Sequence, residues 1–216
     1  ARNGSSSSAK RRKVKVTKKE TTTTQYYVNP NRIDSEIVKK IIDGERYYVE
    51  DGLFLPEIID ELREYALNAD DPDDTYKDYY SLNFSPDNLR LPLLSAIITG
   101  LETRFPFLGR FDRGWAFVYD NNAEGVTPHA DPACYNVNLW VTPDSSVEDP
   151  EKNGLILYDI KPPPTWTWRE YNTDIKLIRK YLEYTKSEKT NISYACNRLL
   201  LFNSRYFHET NKAVSY

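Results

Sequence analysis

Between residues 56 and 68, Ile58, Ile59, Leu62, Tyr65 and Ala66 recur at three- and four-residue intervals. That spacing puts apolar side chains on one face of a helix, and Pro56 suits its first turn. Residues 91–104 repeat the pattern with Leu94, Ile97, Ile98 and Leu101. Before the first helix, residues 46–50 read as a short strand closed by Asp51 and Gly52. The acidic stretch 70–74, with Pro72 inside it, reads as a solvated loop. From residue 114 the period falls to two. Residues 114–119, 135–141 and 154–158 read as strands, the first followed by a turn at Asn121 and Asn122. Lys161 and Pro162 to Pro164 must be extended, because proline fixes φ and removes donors. Ile175, Ile178, Tyr181 and Leu182 then mark a helix inserted among the strands, and strands at 193–195 and 198–202 close the chain. Helices first and many short strands afterwards predict an α+β domain, with a jelly-roll-like barrel braced by helices.

Composition narrows this to one domain with a tail. The 216 residues include 17 Tyr, 8 Phe and 4 Trp, enough for an aromatic-rich core. No apolar run approaches the ~20 residues needed to cross a bilayer, and none near the start resembles a signal peptide, so a soluble intracellular protein is expected. Cys134 and Cys196 read as two buried free thiols. Charge divides the chain in two. Residues 1–30 hold Arg2, Lys10, Arg11, Arg12, Lys13, Lys15, Lys18 and Lys19 against Glu20, a net of +7, whereas residues 31–216 hold 21 basic and 31 acidic residues, a net of −10. With runs of Ser and Thr around it, this basic arm has nothing to bury. It reads either as a solvated tail, the commoner origin of such runs, or as a contact with nucleic acid or an assembly neighbour.

The candidate chemistry rests on the only two histidines. His129 and Asp131 stand two apart in an extended segment, so both project from one face. His208 follows the apolar run 199–202, 77 residues after Asp131. Two imidazoles and a carboxylate leave about half a coordination sphere open, the arrangement used by non-haem iron(II) oxygenases. His-x-Asp alone is a common chance pattern, and a satisfied surface or core histidine is its ordinary explanation.

More of the chain agrees. GWAFVYDNNAEGVTPHAD, YNVNLWVTP, NGLILYDIKPPPTW and YACNRLLLFNSRYFHET follow one another from Gly114 to Thr210. In order, spacing and strand context they resemble the prolyl-hydroxylase-like branch of the 2-oxoglutarate/iron(II) dioxygenase superfamily, over about the last half of the chain. The resemblance implies a double-stranded β-helix (a jelly-roll, cupin-like barrel) spanning residues 31–216. It implies Fe(II) held by His129, Asp131 and His208, with 2-oxoglutarate and O2 as co-substrates. Tyr119 stands where the family often places a tyrosine that hydrogen-bonds the co-substrate; its alternative is a barrel-core aromatic. The implied reaction is hydroxylation of a C–H bond of a peptide or other polar substrate.

One family feature is displaced. The cation that pairs with the distal carboxylate of 2-oxoglutarate normally lies nine or more positions after the second histidine, and this chain ends eight residues after His208. Lys212 is the only basic residue in that interval and stands four positions on. The family's last strand is absent too, which predicts an exposed, unpaired sheet edge and a C-terminus that continues beyond Tyr216. Two other readings stay open here. One is a non-catalytic component of a viral or nucleoprotein particle, anchored by its basic arm. The other is a cupin-like protein that binds another divalent ion without 2-oxoglutarate.

Overall fold

In a computed structural model, the structure describes residues 33–76, 79–119 and 125–210. The basic arm and Lys212 lie outside them.

Helix α1 (Ser35–Glu45) starts where Asp34 accepts a hydrogen bond from the Glu36 amide at 2.8 Å. It ends at Arg46, whose left-handed backbone (φ 73°) sends the chain into strand β1 (Tyr47–Asp51). This helix was legible in Val38 and Ile42, which it buries, but was not among the predicted elements. Helices α2 (Pro56–Leu67) and α3 (Pro92–Arg104) fall within a residue of the predicted spans, each with proline in its first turn. Between them lie β2 (Asp74–Thr75) and β3 (Tyr79–Phe84). Strands β4 (Gly114–Tyr119), β5 (Tyr135–Leu139) and β6 (Leu155–Tyr158) follow. Helices α4 (Trp168–Asn172) and α5 (Ile175–Tyr184) are inserted before β7 (Lys189–Ile192), β8 (Arg198–Asn203) and β9 (His208–Thr210).

The strands form three antiparallel sheets, in the orders β1-β8-β5, β2-β3-β4 and β7-β6-β9. No closed barrel is present among the described residues, and β4 and β5 each have a paired neighbour on one side only. The first and third sheets pack face to face. Leu200 and Phe202 of β8 meet Leu155, Leu157 and Ile192 between them. The other side of β8 turns Leu199 and Leu201 toward α1, α2 and α3. All four of these β8 side chains are fully buried, which explains an apolar run without alternation. Each contributes roughly 1.5–3 kcal/mol on the area scale. The β2-β3-β4 sheet lays Leu82, Phe84, Ala116 and Val118 against α2 and α3, and its opposite face carries the exposed Trp115 and Phe117.

Two expectations are corrected. The strand predicted at 193–195 lies earlier, at Lys189–Ile192, pairing Ile192 with Leu155. Its Lys-Thr-Asn sequence is that of a solvated edge strand, so its hydrophobic pattern is faint. Both cysteines are free, but neither is buried: Cys134 is exposed and Cys196 half-buried. Among the described residues, no helix is long and apolar enough to cross a membrane.

Candidate metal centre

His129 and His208 face each other across the backbone. The His129 amide donates to the His208 carbonyl at 3.0 Å, and the His208 amide returns a bond at 2.8 Å. This closed pair of bonds brings two residues distant in sequence to adjacent positions, with ring centroids 4.2 Å apart. Asp131 is tied separately, its amide donating to the Ser204 carbonyl at 2.9 Å. One candidate ligand atom from each of His129, Asp131 and His208 lies within 4.8 Å of the others. The structure therefore brings together all three predicted ligands.

Their protonation follows from their partners. His129 Nδ1 lies 2.8 Å from the Thr127 carbonyl, and His208 Nδ1 lies 3.0 Å from the Tyr206 carbonyl. A carbonyl can only accept, so each Nδ1 carries a hydrogen, and in the neutral ring it is Nε2 that presents the lone pair. Those Nε2 atoms flank the carboxylate, His129 at 3.8 Å from Oδ1 and His208 at 3.4 Å from Oδ2. Burial pushes the His129 pKa down to about 4, and the neighbouring His208 pushes the same way. Burial alone would raise the Asp131 carboxyl. The His208 and His129 rings, in the protonated forms they take as pH falls, and the Asn136 hydrogen bond outweigh it and hold the carboxyl at about 2. At neutral pH this is an anionic oxygen donor beside a neutral imidazole nitrogen, the donor set a divalent cation requires.

Sequence reasoning missed the residues around the ligands. Asn136 Nδ2 donates to Asp131 Oδ2 at 2.6 Å and lies 3.4 Å from His208 Nε2. Its Oδ1 accepts from the Ser204 hydroxyl at 2.9 Å. Asn172, the last residue of α4, donates from Nδ2 to Asp131 Oδ1 at 3.2 Å and to the Ala130 carbonyl at 2.9 Å. For Asn136 a signal existed. With Asn138 it sets two polar residues opposite the buried Phe202 and Leu200 of β8. For Asn172 nothing local marks the residue, because its partner lies 41 positions away.

Tyr119, the candidate co-substrate residue, ends β4 with its hydroxyl near the side chain of Thr210, two residues past His208 on β9. Burial pushes its phenol up to about 12, so it stays protonated and can donate. Lys212 falls outside the described residues. A groove of about 320 Å³ beside α2, lined by Tyr65, Asp70, Asp71 and Arg90 among others, touches none of these groups.

No family model matches the chain, and no curated protein matches it in sequence. Solved structures do match in three dimensions. A prolyl hydroxylase from Trichoplax adhaerens, in complex with a hypoxia inducible factor peptide fragment, superposes with a TM-score of 0.56 at 14% identity, covering 84% of each chain. The fold is that of the prolyl-hydroxylase-like oxygenases. HygX from Streptomyces hygroscopicus, with nickel and 2-oxoglutarate bound, gives 0.57 at 11% identity over 83% of this chain and 81% of its own. A Pseudomonas putida prolyl-4-hydroxylase gives 0.52 at 11% identity over 84% and 92%.

Proposed function

We propose that the protein is an iron(II)- and 2-oxoglutarate-dependent oxygenase built on a double-stranded β-helix, hydroxylating a C–H bond of a peptide or other polar substrate. The observation that carries this reading is the donor set. Two imidazoles with Nδ1 committed to backbone carbonyls hold their Nε2 lone pairs beside one carboxylate, on a fold shared with solved 2-oxoglutarate-binding proteins.

His129, Asp131 and His208 would hold Fe(II), which together with 2-oxoglutarate and O2 supplies the oxidising power for C–H hydroxylation. The chain's own residues do the rest. Asp131 supplies the anionic charge that favours a divalent cation, and the carbonyls of Thr127 and Tyr206 keep both imidazoles in the ligating tautomer. The Phe202 ring, 4.8 Å from the His208 ring, and the buried Leu157, paired with His208, keep water from the back of the site. Tyr119 would donate from its protonated hydroxyl to the co-substrate. Lys212, four positions after His208, is the candidate cation for the co-substrate's distal carboxylate.

The test is an anaerobic titration with Fe(II) and then 2-oxoglutarate, reading the visible charge-transfer band of a keto acid chelated to iron. A band in the wild type that is lost in His129→Ala is the expected result. Iron binding without the band would favour a cupin-like metal site without this co-substrate. No iron binding would overturn the enzyme reading.

A further inference from the structure

The α4–α5 insertion lies on the side of the ligand-bearing segments that faces away from the candidate metal position, and side-chain alternation explains its grip. In an extended chain successive residues point to opposite faces. His129 and Asp131 point toward the ligand cluster, so Ala130 between them points away. His208 points inward, so Phe207 and Glu209 point away.

The insertion and the strand leading into it take hold of each outward residue. Ala130 is fully buried among Tyr158, Tyr171, Ile178, Leu182 and Phe207. Its amide donates to the Tyr171 carbonyl at 2.9 Å, and its carbonyl accepts from Asn172. The Phe207 amide donates to the Ile160 carbonyl at 3.1 Å, and its carbonyl accepts from the Tyr158 amide at 2.9 Å. Glu209 accepts from the Tyr158 hydroxyl and lies 3.6 Å from Arg179 of α5.

Among these contacts, that of Asn172 alone passes from the insertion to a ligand side chain. Its amide orientation follows from its partners. A carbonyl and a carboxylate are both acceptors, so the NH2 group must face them, and its two hydrogens serve Ala130 and Asp131 separately. Asn136 holds the other carboxylate oxygen from β5. The Asp131 carboxylate is thus gripped at both oxygens by neutral amides from two different elements.

We infer that Asn172 is a positioning residue for the metal ligand Asp131, through which the α4–α5 insertion sets the affinity of the site. This rests on the metal reading above. Asn172 fixes the carboxylate plane, holding Oδ1 at 3.8 Å from His129 Nε2 while Asn136 holds Oδ2 at 3.4 Å from His208 Nε2. Without it Asp131 is held from one side only and its carboxylate is free to rotate out of register. Outer partners of this kind typically change metal affinity by about 10- to 100-fold.

The experiment measures Co(II) binding to the full chain, by competition with a chromogenic chelator and by the visible spectrum of bound Co(II), whose band positions report coordination geometry. Wild type, Asn172→Ala, Asn172→Leu and Asn172→Gln are compared, with metal-free melting curves alongside. Expected is a dissociation constant raised about 10- to 100-fold with shifted bands in Asn172→Ala. Partial recovery is expected in Asn172→Gln, which keeps an amide. Asn172→Leu fills the volume without a donor and decides the matter if the alanine variant does not fold. Unchanged affinity and spectrum in any folded variant lacking the amide would overturn the assignment. So would weakened binding that merely tracks the loss of metal-free stability and is not relieved by glutamine. Failure of the wild type itself to bind Co(II) would instead overturn the metal reading, and this inference with it.

Discussion

Glu50 and Asp131 are two carboxylates drawn into the same protein and partnered in opposite ways. Glu50, on β1, takes both of its strongest bonds from one Arg104 nitrogen, at 2.7 and 2.6 Å, with the Tyr48 hydroxyl adding a third at 3.1 Å. The guanidinium carbon lies 4.7 Å from the centre of the Phe105 ring. Its charge is cancelled within the chain. Asp131 receives bonds from the amides of Asn136 and Asn172, which are neutral, and among the described residues no lysine or arginine pairs with it. What stands opposite it instead is a pair of imidazole lone pairs. The lesson is about what each carboxylate is prepared for. Glu50 completes an internal salt bridge between α3 and β1, whereas Asp131 is oriented, desolvated and left with its charge to offer.

The comparison breaks most sharply at the ligand itself. Asp131→Asn should weaken Fe(II) or Co(II) binding by more than about 100-fold, beyond the loss expected for an outer partner. The metal-free melting temperature should stay near that of the wild type, since an amide can occupy the same volume. A calorimetric titration beside a melting curve reads both, and intact binding would end the analogy. Glu50→Ala should do the reverse. It strands the buried Arg104 cation and costs about 3–5 kcal/mol in urea unfolding, while folded protein retains its metal affinity. Replacing Glu50 and Arg104 together by leucines should recover most of that loss, because buried ion pairs often do no better than apolar substitutes. If the double variant is no more stable than the single one, the pair does more than cancel charge.

A packing change separates these electrostatic effects from general loosening. A Cβ built on Gly154 would stand 1.8 Å from the Ile192 carbonyl oxygen. Gly154→Ala should therefore push β6 from β7 and cost roughly 1–3 kcal/mol. Thermal unfolding without metal measures this, and an unchanged midpoint would show that the two strands can separate freely. The smallest effect concerns acid. The Arg198 guanidinium, bonded to Asp51 at 2.6 and 2.7 Å, holds that carboxyl below its usual value against the opposing effect of burial. A folded-state pKa below the unfolded one gives stability that is present above about pH 4 and lost as pH falls through the lowered value. Wild type should thus lose stability more steeply below about pH 4 than Asp51→Asn, by a modest amount because Asp51 is half exposed. Parallel acid limbs would show that the pair contributes nothing.

The legible parts of the molecule were those whose chemistry is local. Helix α2 announced itself through Ile58, Ile59 and Ala66, which it buries, and β4 matched its predicted span of 114–119. His129 and Asp131 shared a face because alternation requires it, and His208 was found because the chain has only two histidines. Helix α4 had a signal that was passed over, the Thr167 and Glu170 capping box, with Glu170 accepting from the Thr167 amide at 2.7 Å. What the sequence could not show was pairing at long range. That Ala130 would donate to Tyr171, or that Asn172 would reach Asp131, depends on how the insertion folds back, and no periodicity encodes it.

The alternation at Ala130, Phe207 and Glu209 also bears on how such a chain can change over generations. Most connections between strands gain and lose residues freely, because their ends alone are constrained. The stretch between β6 and β7 is constrained along its length, at Ile160, Tyr171, Asn172 and Arg179, each meeting a particular neighbour of a ligand or a ligand itself. A deletion there shifts every later contact out of step, so length should be held almost as strictly as the histidines. Relatives that keep His129, Asp131 and His208 should vary in residue number elsewhere, and those that lack them should be recognisable first by insertions and deletions between Tyr158 and Lys189.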